Sequence, residues 1–240
     1  MNWKQLISAK RFGMEEFHEE RQENRSEFQR DYDRLIFSAP FRRLQNKTQV
    51  FPLPGSVFVH NRLTHSLEVA SVGRSLGDDV AKALLERHPE LQDSFLPEIG
   101  SIVSAACLAH DLGNPPFGHS GEKAISTFFS EGKGVRLKEK QPNGEQLSPM
   151  EWEDLTHFEG NANAFRILTH QFEGRRKGGF VLTYTTLASI VKYPFSSSLA
   201  GTKSKFGFFV SEEESFQKIA TELGLTLLNE HPLKYARHPL

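Results

Sequence analysis

Apolar residues recur along most of the chain with the three- and four-residue spacing of amphipathic helices. This spacing predicts a long helix from Asn61 to about Arg87, which His88-Pro89 ends. A second helix is predicted from Pro97 to Leu112, where the Gly-Asn-Pro-Pro run at 113–116 stops it. Strand signals are few, so we expect an all-α helical bundle with at most a small β hairpin.

Shorter segments surround these two helices. The predicted helical segments are 15–46, interrupted at Pro40, 120–130, about 151–171, 183–192, and one opened by a capping box of Ser211 and Glu214. The predicted non-helical segments are a loop at 50–56, a polar insertion or loop at 131–150, a basic turn at 174–179, and a short hairpin arm at 206–210. No repeat is visible, and we expect a single domain over residues 1–240.

The composition narrows the class of protein. The 240 residues are 38% apolar and 25% charged, which excludes disordered and fibrous classes. The single cysteine, Cys107, excludes a disulfide within the chain and a cysteine-based zinc site. We find no apolar run long enough to span a membrane and no secretory signal, and we therefore expect a cytoplasmic protein.

Charge is unevenly distributed although the net charge is only −1. Residues 1–50 carry +2, residues 51–154 carry −6, and residues 155–240 carry +3. An acidic middle suits a metal ion and the basic ends suit an anion, although ordinary variation of surface charge gives the same pattern.

Two histidines are predicted to point inward from the two long helices. His65 begins one apolar stripe and His110 ends another. The residues that share these stripes are Val69, Val72, Leu76, Val80, Ala83 and Leu84 with His65, and Ile99, Val103 and Ala106 with His110. Asp111 follows at the helix end, and a buried carboxylate beside imidazole favours a neutralising cation. These donors suit Mn, Mg, Fe, Ni or Zn, whereas the alternative for each histidine is a hydrogen-bonded core position.

His119 and Glu122 lie three residues apart where a new helix is predicted to begin. They can share one helical face, so the carboxylate could orient the imidazole. Free amides at a helix start also suit phosphate oxygens. The alternatives are a turn histidine and a glutamate that only complements the helix dipole.

Several stretches together identify a family resemblance. They are RDYDRLIFSAPFRRLQNKTQVFP (30–52), NRLTHSLEVA (61–70), AHDLGNPPFGHSGE (109–122), HFEGNANAFRIL (157–168), LTYTTLASIVKYP (182–194) and KFGFF (205–209). In this order they resemble the HD-superfamily deoxynucleoside triphosphate triphosphohydrolases, specifically the bacterial deoxyguanosinetriphosphate triphosphohydrolase-like proteins. The resemblance implies an HD-domain helical bundle. It also implies hydrolysis of a deoxynucleoside triphosphate to a deoxynucleoside and inorganic triphosphate, with dGTP as the expected substrate.

The resemblance also implies roles for individual residues. His65, His110 and Asp111 match three ligands of a divalent metal ion, and His119 and Glu122 match the catalytic pair. The positions that match substrate-binding residues are Gln49, Arg62, His157, Asn161, Lys192, Tyr193 and Lys205. The family further implies a homo-oligomer.

One feature departs from the family pattern. The fourth metal ligand of the family is an Asp well after HFEGN, whereas the last aspartate of this chain is Asp154. We therefore expect the chain to be the front part of a longer one. The alternatives are another HD phosphohydrolase, such as a nucleotidase or phosphodiesterase, or a non-catalytic nucleotide- or metal-binding fragment. Nucleic-acid binding through Arg42-Arg43 and the basic run at 175–177 is a secondary hypothesis.

Overall fold

The structure, a computed structural model, describes residues 2–17, 25–48, 61–142, 144–174, 177–200, 205–228 and 233–240. Its helices are α1 (Trp3–Leu6), α2 (Glu27–Ile36), α3 (Ala39–Arg43), α4 (Arg62–Arg87), α5 (Ile99–Ala109), α6 (His119–Ser130), α7 (Pro149–Thr156), α8 (Gly160–Thr169), α9 (Tyr184–Ile190) and α10 (Glu213–Glu222). Extended pairing among these residues is limited to three isolated bridges, Arg11 with Thr183, Ser196 with Phe208, and Leu227 with Tyr235. The expectation of an all-α fold is confirmed.

Helix ends follow capping chemistry where the sequence carries it. Asn61 and Thr64 form a capping box at the start of α4, and His88 ends that helix as predicted. Ser38 caps α3, and Pro40 lies in the first turn, where its missing N–H costs nothing. The break predicted at Pro40 is therefore the boundary between α2 and α3.

Small residues form the contact between α4 and α5. The buried residues of α4 are Arg62, Ser66, Ala70, Gly73, Gly77 and Ala81. A Cβ on Gly77 would lie 2.8 Å from the Gly100 Cα, and one on Gly73 would lie 2.7 Å from the Cys107 Sγ. The two backbones approach so closely that only small side chains fit between them.

The predicted apolar stripe of α4 is therefore wrong as a buried face. Val72, Leu76 and Val80 are 60%, 60% and 47% exposed. The prediction assumed that the large apolar residues are buried, whereas here the small ones are, because the neighbouring helix is so near. His65 still lies at the edge of the α4–α5 contact, next to the buried Ser66.

The main core lies around the C-terminal half of α5 and continues through α8, α9 and α10. Its fully buried members include Leu108, Phe165, Leu187 and Phe216. A second apolar cluster lies at the opposite end of α5 and includes Phe28 and Ile99. Because α5 has buried residues along its whole length, the position of His110 at its end is fixed by packing on both clusters.

The prediction of one helix over 151–171 is wrong, because this segment forms two helices. α7 ends at Thr156, and Glu159 starts α8 by accepting a hydrogen bond from the backbone N–H of Asn161. Gly160 permits this new start, because a Cβ there would lie 2.1 Å from the Asn114 Oδ1. The break places the start of α8 against the turn that follows α5.

Two further predictions near the C-terminal end need correction. Within the described residues the arm at 206–210 forms no hairpin, because its Phe208 makes only an isolated parallel bridge with Ser196 and Val210 begins a 3₁₀ turn. The helix after it exists, but Ser211 does not cap it; the Ser211 Oγ instead contacts Arg166 and Glu212.

Some of the predicted segments are matched only in part by the structure, and others lie outside the described residues. The 131–150 segment contains a 3₁₀ turn, Lys133–Lys138, and Lys138 lies 5.7 Å over the Trp152 ring. Gln49, the whole predicted loop at 50–56 and Arg175-Arg176 lie outside the described residues. No helix in the described part of the chain is both long enough and apolar enough to cross a membrane.

Candidate active site

Two histidines and an aspartate meet where the start of α4 approaches the end of α5. One ligand atom each from His65, His110 and Asp111 lies within 4.8 Å of the others. The two imidazole rings pack edge to face with centroids 5.3 Å apart. The structure thus brings together the three residues that the sequence suggested for a metal ion.

The His110 ring is held in one orientation. Its Nδ1 donates a hydrogen bond to the Cys107 carbonyl oxygen at 2.7 Å, which leaves Nε2 as the nitrogen able to bind an ion. Nε2 lies 3.6 Å from the Asp111 Oδ1. The last turn of α5 therefore aims this imidazole nitrogen at the same place as the carboxylate.

Asp111 is buried and has a cationic neighbour. The Arg62 Nη1 lies 2.9 Å from its Oδ2, and the Asn114 side-chain amide donates to its Oδ1 at 2.6 Å. Arg62, which the resemblance assigned to the substrate, is itself buried in this pairing. Its guanidinium offsets the cost of burying the carboxylate.

Lys47 holds the backbone of the turn after α5, a role that no motif or spacing indicated. Its ammonium donates to the carbonyl oxygens of Leu112 and Asn114 at 3.1 and 3.2 Å. Burial and the nearby Arg62 charge lower the pKa of Lys47, although Asp111 acts against this shift. Lys47 thereby fixes the segment that carries Asp111.

The donor set fits a divalent ion. Two imidazole nitrogens and one carboxylate oxygen, already within reach of a common point, suit Mn, Fe, Zn, Ni or Mg. The His110–Cys107 bond supplies the outer support that metal-binding histidines usually have.

A strained turn leads from this cluster into α6. Phe117 and Gly118 have φ values of 65° and 56°, and the Phe117 N–H donates to the Thr48 carbonyl oxygen at 3.1 Å. A positive φ is unfavourable for phenylalanine, so the surrounding contacts must hold it. The turn places His119 as the first residue of α6.

His119 and Glu122 form the pair that their spacing predicted. The His119 Nδ1 lies 2.7 Å from the Glu122 Oε2, and the His119 side chain is 86% exposed. Glu122 is nearly buried, and its Oε1 accepts the Gly160 N–H at 2.9 Å. Burial would raise the pKa of Glu122, but its bonds to His119 and Gly160 and the Lys205 charge lower it below its usual value. Glu122 is thus held as a carboxylate that orients an exposed imidazole.

Lys205 approaches this pair from the segment before α10. Its ammonium lies 3.5 Å from the Glu122 Oε2 and 2.5 Å from the Glu159 Oε1. Burial would lower the pKa of Lys205, but the two carboxylates raise it. Sequence reasoning placed Lys205 near the site but missed Glu159, whose only signal was its position inside HFEGN.

One pocket of about 430 Å³ contains much of this chemistry. Its lining residues are Arg62, Asp111, Asn114, Phe117, Gly118, His119, Ser120 and Glu122. A residue from the metal-binding cluster and both members of the His119–Glu122 pair therefore face the same space.

Other predicted substrate residues lie apart from that pocket. His157 is exposed at the end of α7, with its Nδ1 3.3 Å from the Glu153 Oε1, and the Asn161 amide bonds to Glu159. The Lys192 ammonium lies 5.6 Å over the Tyr193 ring, and the Arg237 guanidinium lies 5.4 Å from that ring.

Comparison with known proteins agrees with this geometry. The family model described as HD domain matches residues 62–178, which include the cluster and the His119–Glu122 pair. Residues 62–178 of the chain are therefore similar to HD domains.

The relatives also carry informative names. The chain is 45% identical over 249 residues to a "Deoxyguanosinetriphosphate triphosphohydrolase-like protein" of Synechocystis sp., covering 100% of this chain and 55% of the relative. It is 45% identical over 248 residues to a protein of that name from Pseudomonas aeruginosa, covering 100% and 53%. A "Deoxyguanosinetriphosphate triphosphohydrolase" of Yersinia enterocolitica is 36% identical over 269 residues, covering 98% and 51%. The chain spans about half the length of the curated relatives it matches.

Proposed function

We propose that this chain carries the catalytic centre of a metal-dependent hydrolase. The enzyme converts a deoxynucleoside triphosphate into a deoxynucleoside and inorganic triphosphate, and its proposed substrate is dGTP. The observation that carries this proposal is the shared pocket of Asp111, His119 and Glu122. The names of the relatives support the choice of substrate.

The reaction breaks the bond between the α-phosphorus and the 5′ oxygen, while a water oxygen forms a new bond to that phosphorus. The leaving 5′ oxygen needs a proton. His119 is exposed to the pocket and held by Glu122, so it is placed to supply that proton as a general acid.

A divalent ion would be held by His65, His110 and Asp111. Such an ion, when bound, polarises a phosphate oxygen and activates water for attack. The protein's contribution is to orient the His110 ring through the Cys107 carbonyl oxygen and to pair the Asp111 carboxylate with the Arg62 guanidinium.

Cations around the pocket would neutralise the triphosphate. Arg62 and Lys205 are both paired with carboxylates, so a polyphosphate would compete for charges that are already in place. Lys192, Tyr193, His157 and Asn161 stay predicted substrate contacts. Gln49, the candidate for contact with the deoxyribose, lies outside the described residues.

The partners other than the nucleotide stay proposals. A homo-oligomer is implied by the family resemblance. Nucleic-acid binding has less support, although Arg42 and Arg43 are exposed at the end of α3.

The His119→Ala substitution tests the proposed role. Loss of a general acid should lower kcat by roughly 10²- to 10⁴-fold while dGTP still binds. Initial rates with Mn²⁺ and equilibrium binding of dGTP measure the two effects separately.

His88→Ala is the matched control, because His88 forms a similar exposed pair with Glu90, at 3.2 Å, outside the pocket. It should leave turnover unchanged. A His119→Ala protein that turns over dGTP at the rate of the unsubstituted chain would remove His119 from the mechanism.

A further inference from the structure

Glu159 is a buried carboxylate beside the His119–Glu122 pair, and the reaction as proposed gives it no role. It is 1% exposed and caps α8. Its oxygens accept hydrogen bonds from the Asn161 backbone N–H at 2.8 Å and from the Asn161 side-chain amide at 2.8 and 3.0 Å. Among the described residues, the cation that pairs with it is Lys205, at 2.5 Å. Helix capping alone would need only an uncharged oxygen, so the charge on Glu159 calls for a further explanation.

Lys205 lies between two carboxylates. Its ammonium is 2.5 Å from the Glu159 Oε1 and 3.5 Å from the Glu122 Oε2. The same Glu122 oxygen accepts the hydrogen bond from the His119 Nδ1 at 2.7 Å. The Lys205 ammonium and the His119 imidazole therefore share one acceptor oxygen, so a closer ammonium would draw charge from the bond to His119.

The other oxygen of Glu122 has a backbone partner. Its Oε1 already accepts the Gly160 N–H at 2.9 Å, at the start of α8. If the ammonium moved about an ångström toward Glu122, it would meet Oε2 and weaken the bond to His119. What keeps it away is the shorter contact with Glu159.

We propose that Glu159 is a positioning residue, which holds the Lys205 ammonium off Glu122 so that the Glu122 carboxylate stays bonded to His119. This inference rests on the proposed function of the His119–Glu122 pair. It gives Lys205 two tasks: its single positive charge offsets part of the charge of the two carboxylates, and it is near enough to meet a polyphosphate.

The substitution that tests this is Glu159→Gln. The glutamine carbonyl can still accept the Asn161 N–H, so the helix cap is retained while the charge is removed. Lys205 should then shift to Glu122, and the imidazolium form of His119 should lose part of its carboxylate partner. Within the described part of the chain, the charged groups near this pair are Lys205 and Glu159, and Arg62 and Asp111 line the same pocket.

The readout is the NMR titration of the His119 ring in the metal-free, substrate-free chain. We expect the titration midpoint to move to lower pH by about half a unit or more in Glu159→Gln. Glu173→Gln, which removes an exposed carboxylate elsewhere, should leave the midpoint unchanged. An unchanged midpoint in Glu159→Gln overturns the proposal.

Repeating the substitution in a Lys205→Gln background separates an effect through Lys205 from direct action of the Glu159 charge. In that background we expect Glu159→Gln to shift the His119 midpoint by less than half as much as it does when Lys205 is present, because the nearby ammonium is gone. A shift of full size in that background overturns the proposal.

A second variant keeps the test usable if Glu159→Gln does not fold. Glu159→Asp keeps the charge and the cap but withdraws the carboxylate from Lys205 by one methylene, and we expect a smaller shift in the same direction. No shift would overturn the proposal. Because the titration needs no turnover, an inactive chain would count against the proposed function and leave this result standing.

Discussion

His119 and Glu122 show how far residue spacing alone can predict a contact. Side chains three residues apart on one helix are neighbours through the helix geometry alone, and here the His119 Nδ1 lies 2.7 Å from the Glu122 Oε2. Lys47 and Glu159 had no such signal, since their partners lie 65 and 46 residues away. Groups that support a site from a distant segment become visible only when the fold brings those segments together.

Lys47 offers a test of that support. The Lys47→Met substitution removes the donor to the Leu112 and Asn114 carbonyl oxygens, and Leu112 is buried. We expect a loss of about 1–3 kcal/mol in the free energy of unfolding, because a buried acceptor is left unpaired. Urea unfolding followed by circular dichroism measures it.

Lys82→Met is the comparison for Lys47→Met, since Lys82 is exposed on α4. It should change the stability by less than about 0.5 kcal/mol. Equal stabilities of the two variants would show that Lys47 does not support the turn.

The long helices show both the success and the failure of pattern reasoning. The ends of α4 were predictable, because Asn61 caps it and His88-Pro89 ends it. Its buried face was not, because a hydrophobic stripe is informative only when the neighbouring element lies at the usual distance. Ser66, Ala70, Gly73, Gly77 and Ala81 recur at helical spacing, and this row of small residues was the overlooked signal.

Substitutions on the face of α4 that carries the small residues should therefore cost more stability than substitutions on its apolar face, which is the reverse of what the apolar pattern suggests. Gly77→Val forces a side chain against the Gly100 backbone and should cost roughly 1–3 kcal/mol in the free energy of unfolding. Leu76→Gln, on the exposed face, should change it by less than about 0.5 kcal/mol. Thermal unfolding of both variants measures the difference. A larger loss for Leu76→Gln than for Gly77→Val would contradict the described α4–α5 contact.

On the scale of the whole molecule, ionic contacts attach the N-terminal segment to the helices of the core. The Arg11 Nη1 lies 2.7 Å from the buried Asp31, whose other oxygen accepts the Thr183 N–H and hydroxyl. Glu15 accepts hydrogen bonds from the Tyr184 hydroxyl at 2.6 Å and from the Lys218 ammonium at 2.5 Å. The sequence indicated the helices but not these contacts, because their members are far apart along the chain.

The Glu15 contact makes a prediction about acid stability. Partial burial would raise the pKa of Glu15, but the Lys218 and Tyr184 hydrogen bonds lower it to about 2 from 4.5. A carboxyl group with a lowered pKa stabilises the fold above its ordinary pKa, and this contribution is lost as the pH falls from about 4.5 toward 2.

Glu15→Gln should therefore lower Tm at pH 7 and have a steadily smaller effect as the pH approaches 2. Calorimetry across this range gives the comparison. A Tm difference that is independent of pH would show that the Glu15 charge does not act through these contacts.

The central claim is that the pocket of Asp111, His119 and Glu122 hydrolyses a deoxynucleoside triphosphate at the α-phosphorus. The test is to react this chain with dGTP and Mn²⁺ in ¹⁸O-labelled water, to separate the products, and to determine their masses by mass spectrometry. We expect unlabelled deoxyguanosine and inorganic triphosphate that carries one ¹⁸O. Release of deoxyguanosine monophosphate with pyrophosphate, of deoxyguanosine diphosphate with phosphate, or of labelled deoxyguanosine would contradict it.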